Sequence, residues 1–493
     1  MSYIGLDIGT SMIKGQLLND EGIILSTCKF ESPTYSQDGI FYLNAEKLKD
    51  IIFTIIKKLV AKSDTAIKSI CTSTLGEAFV LLDNKGNPLN DFILFTSNLG
   101  EKEKDELLTK IDPLKVADIS GLYPNKMFSF SKLMWIKQEH KEMYEKADKL
   151  LLVTGFVAYL LTGKTISDYS TASRTMLLDI NKKCWSKKLI ELCGLKQSLF
   201  PDLMSADACV GKVKADVASK LGLSQDCIVL AGAHDQYMAA IGSGLFEVGS
   251  ANDGTGTAQC VAAVFAKITD TETFYKNNYC VVPYINEGTY ITYAFLNTGG
   301  ALLKWHRDHL SPLEKKRLKE SYFRHYSEKE VEIPTSLLVL PHFSGSGTPH
   351  LCGEDTGAML GLTCETTKAE IYFALMEGAT YEMKFNLEML EKSGINISKM
   401  SVTGGGSKNP SWLNIKANIY NKEVNTILTP EGGIYGCFIV MKHYEEKVPY
   451  ETLLEKYVTK GQSYKPNKEL VFRYKKQYKK YKRIYHLTKE VWR

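Results

Sequence analysis

A chain of 493 residues is too long for one hydrophobic core, so two domains are expected. Apolar residues at 44% and charged residues at 24% describe a globular chain, which excludes disorder and a membrane-embedded bundle. A net charge of +5 is small for this length and does not select a nucleic-acid or membrane partner.

The chain opens on short strands: Tyr3 to Asp7, Lys14 to Leu18, then the turn Asn19-Asp20-Glu21-Gly22 and Ile23 to Ser26, a meander with polar turns. Ala45 to Ala61 has helical periodicity. Phe79 to Leu82 reads as another strand, followed by the turn Asp83-Asn84-Lys85-Gly86. Strands interleaved with helices predict an α/β layer architecture. Leu150 to Leu161 is the most apolar long run. It is too short to span a bilayer and reads as a buried helix. Gly163-Lys164-Thr165 imitates the end of a Walker A loop, but Ala158 stands where its first glycine belongs, and a helix rather than a strand precedes it.

A second start follows near residue 228. Ile228 to Ala231 is a buried strand running into Gly232-Ala233-His234-Asp235, and Ala251 to Thr257 carries Asp253-Gly254-Thr255-Gly256-Thr257 before the apolar run Val261 to Phe265. Asp7-Ile8-Gly9-Thr10 is echoed by residues 254–257, a weak internal repeat that places the domain boundary near 245. Trp305-His306-Arg307-Asp308 reads as the surface of an amphipathic helix, and no neighbour completes a metal site with His306 and His309. Thr367 and Glu370 have capping-box spacing before a long helix that stops at Gly394. Met400 to Thr403 is a strand, Gly404-Gly405-Gly406 a turn, and Asn409-Pro410 a helix start. The basic end of the chain carries Tyr474, Tyr478, Tyr481 and Tyr485 at helical spacing, which predicts a docked helix rather than a nucleic-acid arm. Eleven scattered cysteines without a CxxC pair, and a start lacking a signal peptide's basic and apolar regions, predict a reduced, cytoplasmic chain.

Three segments have the parts for phosphate chemistry. In Asp7 to Ser11 an acid ends a strand and a glycine turn follows, so backbone N–H and hydroxyl groups could hold phosphate oxygens while the acid anchors Mg²⁺. The plainer reading is a hairpin turn. Asp253 to Thr257 supplies the same parts, and Val402 to Asn409 is a strand, a glycine turn and a helix start without a Walker A ending. Asp235, at the end of a buried strand, could take the proton of an attacking hydroxyl; a helix N-cap is the plainer alternative.

Taken in order, these pieces resemble the FGGY family of carbohydrate kinases from about Tyr3 to Tyr444. The resemblance rests on IGLDIGTSMIKGQLLNDEG, DYSTASRTMLLDI, LAGAHDQYMAAIGSG, GAMLGLTCETTKAEIYFALMEG, VTGGGSKNPSWLNIKANIYNKEV and PEGGIYGCFIVMKH. It implies two RNase-H-like, actin-type domains with an interdomain active-site cleft: residues 1–245 for sugar and catalytic base, 246–493 for nucleotide. It implies an ATP-dependent kinase with Asp235 as base and Mg²⁺ held by Asp7 and Asp235. Thr10, Ser11, Lys14 and Thr255 fall at the phosphates, and Gly404, Gly405, Ser407 and Asn409 border the nucleoside. Glu77, Gly76, Gln236 and Thr96 fall at the sugar. A homodimer is implied by analogy, with no nucleic-acid or membrane partner.

Departures bear on the substrate. Gly76 stands where glycerol kinases carry an arginine, and Met127 where they carry a tyrosine. Leu75-Gly76 also differs from the Met-His of xylulokinases. Ser97 and Leu99 replace an acid and an arginine found in many relatives. The expected acceptor is a ketose such as xylulose or a related pentulose or heptulose. Another polyol or a sugar acid (glycerol, gluconate), or a catalytically weak sugar sensor on the same fold, are the alternatives.

Overall fold

The computed structural model describes residues 1–429 and 432–492. They form two compact units. The first comprises Met1–Phe246, Cys280–Ile291 and Thr429–Val458; the second comprises Glu247–Tyr279, Thr292–Leu428 and Thr459–Arg493. Position 245 is thus close to where the chain first leaves the first unit, but two later segments return to it.

The sheet of the first unit runs in the order Cys209–Lys212, Ile228–Leu230, Ile67–Thr74, Ser2–Ile8, Met12–Asn19, Ile24–Glu31. The predicted meander is present, with Ser2–Ile8 and Met12–Asn19 antiparallel in unbroken register. Both faces of the first strand are covered, which is why it reads as an apolar run rather than an alternation. Ile4, Leu6 and Ile8 pack with Ile52, Ile55 and Ile56 of the helix Ala45–Val60. Gly5 faces the other way, where an added Cβ would lie 2.5 Å from Ile434 of the helix Gly432–Glu446.

The second unit repeats this local topology. Ser250–Thr255 pairs antiparallel with Gln259–Phe265 and parallel with Lys399–Gly404, as Ser2–Ile8 pairs antiparallel with Met12–Asn19 and parallel with Ile67–Thr74. The echo between residues 7–10 and 254–257 is therefore an echo of fold. The capping box forms as expected: Thr367 caps the helix Lys368–Lys392 and exchanges hydrogen bonds with Glu370. The basic C-terminal segment is a helix, Lys468–Trp492, whose tyrosines dock on that long helix. Tyr474 donates to Glu377 at 3.0 Å, Tyr478 to Glu388 at 3.0 Å, and Tyr481 to Glu382.

Two local expectations are corrected. The apolar run 150–161 splits into a strand, Lys149–Leu152, and a helix, Val153–Thr162, because the strand pairs with the distant Phe79–Leu82. His306 is not on a surface. It is fully buried, bonded to the Tyr322 hydroxyl at 2.7 Å and to the Lys368 carbonyl at 2.8 Å.

The helix Asp235–Gly242 lies against Gly432–Glu446 through glycines. A Cβ at Gly436 would sit 2.0 Å from the Met238 carbonyl oxygen, and one at Gly242 would sit 2.0 Å from that of Gly432. Backbone atoms cannot yield as side chains do, so Gly436→Ala must separate the helices. Its expected cost is about 1–3 kcal/mol, the usual range for overpacking, read from the urea midpoint. An unchanged midpoint would show that the helices tolerate separation.

Candidate active site

In the first unit, strand register brings chemistry-bearing residues to the carboxyl ends of neighbouring strands. Ile67–Thr74 pairs parallel with Ser2–Ile8, setting Asp7 opposite Ser73, and parallel with Ala233–His234, setting Ala233 opposite Ser73 and His234 opposite Thr74. Ser73 Oγ donates to Asp7 Oδ1 at 2.9 Å. Lys14 is the antiparallel partner of Asp7, so both lie on one face. Residues 9–11 are a tight hairpin turn closed by the Gly9 N–H to the Met12 carbonyl at 3.0 Å, with Thr10 half-buried and Ser11 exposed. The helix Gly432–Glu446 begins beside this edge: a Cβ at Gly433 would lie 3.4 Å from Asp7 Oδ1. A helix N-terminus there favours negative charge. Pro430 and Glu431 of the PE-x-x-x-x-G element lie outside the described residues.

Asp235 is the first residue of the helix Asp235–Gly242. Its Oδ1 accepts from the Gln236 N–H at 2.6 Å and lies 3.3 Å from His234 Nε2. Its side chain is 38% exposed, so one side is open to a ligand while protein crowds the other. Burial pushes its pKa up to about 6, against the pull of the Gln236 N–H and the Arg174 charge. The segment is held from below. Asp168, fully buried, caps the helix Tyr169–Ser173 by accepting from the N–H groups of Ser170 at 2.9 Å and Thr171 at 3.0 Å. The Ser170 hydroxyl, bonded to Asp168, accepts from the backbone N–H of His234 at 2.9 Å. Burial and Arg174 lower the His234 pKa to about 4, so the imidazole is neutral near pH 7. Gln236 is exposed beside the carboxylate.

Glu77 is buried with its backbone in the left-handed region, φ 57°. Arg174 Nε donates to Glu77 Oε1 at 2.6 Å, and an Arg174 terminal nitrogen meets the same oxygen. The guanidinium also lies 5.0 Å from the Phe128 ring centroid. Position 76 has no room for a side chain, since a Cβ would meet His234 at 2.9 Å and Arg174 at 3.1 Å. Arg174 thus reaches Glu77 through the space that a side chain at position 76 would need. Ser97, which looked like a lost substrate contact, is structural: its hydroxyl accepts from the Phe41 N–H at 2.9 Å and donates to the Phe41 carbonyl at 3.0 Å. Thr96 beside it is exposed. Lys132 is buried and donates to the carbonyls of Lys126 at 2.6 Å and Met127 at 3.0 Å, fixing the loop that carries Met127. Burial lowers its pKa to about 8.

In the second unit a cleft of about 880 Å³ opens beside the glycine turns. Thr255, Gly256 and Thr257 line it with Gly405, Gly406, Lys408 and Asn409, between the aromatic rings of Phe323, Tyr372 and Trp412. Its size and mainly apolar walls suit a drug-sized or nucleoside ligand. Gly404 bends the chain with φ 81°, and Ser407 Oγ donates back to the Gly404 carbonyl at 2.8 Å. Asn409 caps the helix Pro410–Tyr420, its Oδ1 accepting from the Trp412 N–H at 3.1 Å. Sequence reasoning missed Arg174, Asp168, Ser170 and His234 here, and Lys416 and Tyr420 below the cleft. His234 and Arg174 lay within segments already singled out, but nothing local said that they face Asp235 and Glu77.

Among the described residues no group of three or more His, Cys, Asp or Glu forms a cage for a metal ion. Mg²⁺ does not need one, because one or two carboxylates complete its shell with waters and substrate phosphates. Asp7, and Asp235 with its desolvated, partly open carboxylate, fit that mode.

Two family models match the chain: the N-terminal domain of the FGGY family of carbohydrate kinases over residues 2–242 and the C-terminal domain over residues 254–442. The chain is 27% identical over 514 residues to the xylulose kinase of Staphylococcus epidermidis, covering 99% of this chain and 97% of the relative. It superposes on the ligand-bound xylulose kinase of Lactobacillus acidophilus with a TM-score of 0.89 at 22% identity, covering 99% of this chain and 98% of the other. A gluconate kinase of the same organism gives a TM-score of 0.89 at 21% identity and the same coverage. Fold similarity alone therefore does not choose the acceptor.

Removing Arg174 leaves the buried Glu77 carboxylate without its principal counter-charge. Arg174→Ala is expected to lose about 3–5 kcal/mol of stability, and Glu77→Gln/Arg174→Gln markedly less, by urea unfolding of both variants. Equal losses would show that the pair is not what the buried charge depends on.

Proposed function

We propose that this chain, which belongs to the FGGY family of carbohydrate kinases, phosphorylates a hydroxyl of an uncharged ketose of the pentulose or heptulose class. As a member of that family it is a phosphotransferase with an alcohol acceptor and ATP as donor. The observation that carries the acceptor site is the edge shared by Asp235, Gln236 and the Glu77–Arg174 pair. For an uncharged ketose over an aldonate we rely on two points. The Arg174 guanidinium is already balanced by Glu77, and a relative matched over 99% of this chain is named a xylulose kinase.

In this reading Glu77 accepts hydrogen bonds from substrate hydroxyls, with Gln236, Gly76 and Thr96 bordering the sugar. Asp235 takes the proton of the attacking hydroxyl as its oxygen bonds to the γ-phosphorus and the bond to the ADP oxygen breaks. His234, its backbone N–H held by Ser170 and its imidazole neutral, borders the carboxylate. The turn at Thr10 and Ser11, with Lys14, and the turn at Thr255 take the phosphates. Gly404, Gly405, Ser407 and Asn409 border the nucleoside, so the first unit serves the sugar and the second the nucleotide. Asp7 and Asp235 would hold Mg²⁺, which when bound neutralises phosphate charge. The eleven cysteines are thiols, which fits the cytoplasm, and among the described residues no helix is long and apolar enough to cross a membrane. A homodimer is our reading by family analogy alone.

Asp235→Asn should lower kcat by about 10²- to 10⁴-fold while ADP affinity is kept. A coupled ADP-release assay with ketopentoses, ketoheptoses, polyols and aldonates reads it. Turnover with aldonates alone would overturn the ketose assignment, and no turnover with any sugar would favour a sensor. Because Asp235 must be ionised to accept a proton, kcat/KM for the sugar should fall as pH drops through about 6 and level off above it. A profile flat from about one pH unit below that point to about two above it would remove Asp235 as the base.

A further inference from the structure

Beneath the cleft of the second unit lies an ion pair with no access to water. Lys416, on the helix Pro410–Tyr420, places Nζ 2.5 Å from Asp253 Oδ2, and both side chains are 0% exposed. The Asp253 carboxylate is saturated by further donors. Tyr420 donates to Oδ2 at 2.8 Å, Gln259 Nε2 lies 2.9 Å from Oδ1 and 3.0 Å from Oδ2, and the Thr255 hydroxyl donates to Oδ1 at 3.1 Å. Lys416 Nζ also donates to Thr255 Oγ1 at 2.6 Å. The Thr255 hydroxyl is thus gripped from both sides, as donor to the acid and acceptor from the base.

A buried ion pair is a poor source of stability, because desolvation offsets the attraction and well-packed apolar residues of similar volume serve as well. This pair has a second consequence. Thr255 lines the cleft, and the glycine turn rests on it: a Cβ at Gly406 would lie 2.6 Å from Thr255 Cβ, and one at Gly404 would lie 2.6 Å from the Thr255 carbonyl oxygen. Thr255 is wedged between the ion pair below and the glycine turn above. Any change in its rotamer moves the floor on which both cleft-lining turns are built. Lys416 Nζ also lies 5.3 Å from the ring centroid of Trp412, another wall of the cleft.

We propose that Lys416 is a positioning residue for nucleotide binding, which, with Asp253, locks the Thr255 hydroxyl and so presets the two glycine turns of the cleft. The inference rests on the reading of this cleft as the nucleotide site. Preorganisation of this kind raises affinity by removing an ordering cost from the binding step. Its loss should appear in nucleotide affinity and not in the sugar's KM.

The test is ADP binding by calorimetry to the full chain, with steady-state kinetics alongside. Asp253→Asn/Lys416→Met removes both charges together, which avoids stranding one of them. It is expected to unfold near the wild-type midpoint yet to bind ADP about tenfold or more weakly, the scale of a lost hydrogen bond to a charged group. KM for ATP should rise in parallel while KM for the sugar is unchanged. Thr255→Val, which keeps the ion pair, should weaken ADP to a similar extent, and adding it to the double variant should cost little more. Wild-type ADP affinity in the double variant would reduce the pair to a structural role and overturn the proposal. If that variant does not fold, wild-type affinity in Thr255→Val overturns it instead. A wild-type chain that binds no ADP would sink the nucleotide reading itself, a result distinct from either.

Discussion

The parallel register of Ile67–Thr74 is the constraint on which the first unit's site depends. That strand is hydrogen-bonded to Ser2–Ile8 on one side and to Ala233–His234 on the other. Parallel strands end at the same edge of a sheet, and their backbone groups beyond the last ladder bond are free to meet a ligand. Asp7, the Gly76-Glu77 turn and Asp235 come from three distant parts of the chain, yet each lies at or just past the end of one of these strands. A slip of one residue would turn every side chain to the opposite face. The packing on both faces, Ile4 and Leu6 toward one layer and Gly5 toward Ile434 in another, forbids that slip.

Two carboxylates at this edge are given different electrostatic surroundings. Glu77 is buried against a guanidinium that shares its oxygen through two nitrogens. Asp235 has one backbone donor and a neutral imidazole beside it, and burial raises its pKa. The first carboxylate is thereby held in place by an ion pair, while burial raises the proton affinity of the second. Arg174 joins them, pairing with the first and lowering the proton affinity of His234 next to the second.

The second unit uses the same hairpin and parallel strand for another purpose. Thr255, at the end of Ser250–Thr255, is registered against Gly404, so two glycine turns emerge side by side at one edge of the sheet. Aromatic rings wall the cleft and a charged pair underlies it. Together they give an apolar site whose few polar groups are held in fixed directions, the combination that lets a small number of contacts carry specificity.

Much of this was legible in the residues alone. The meander, the capping box at Thr367 and the helix start at Asn409-Pro410 follow from local patterns, because hydrogen bonds within a few residues set them. The echo of residues 7–10 in 254–257 and the ordered motifs pointed to a kinase of two similar halves, since phosphate turns need glycine wherever they occur. Other features were decided only by the tertiary structure. The run 150–161 broke into strand and helix because Phe79–Leu82, some seventy residues earlier, offered it a partner. His306 was drawn inside by Tyr322 and the Lys368 carbonyl. Ser97 exchanged a substrate role for a backbone bridge to Phe41. Arg174 reaches Glu77 and Lys416 reaches Asp253 across 97 and 163 residues of chain. No periodicity or spacing encodes such pairs, because their energy arises only once folding has excluded water from around both charges.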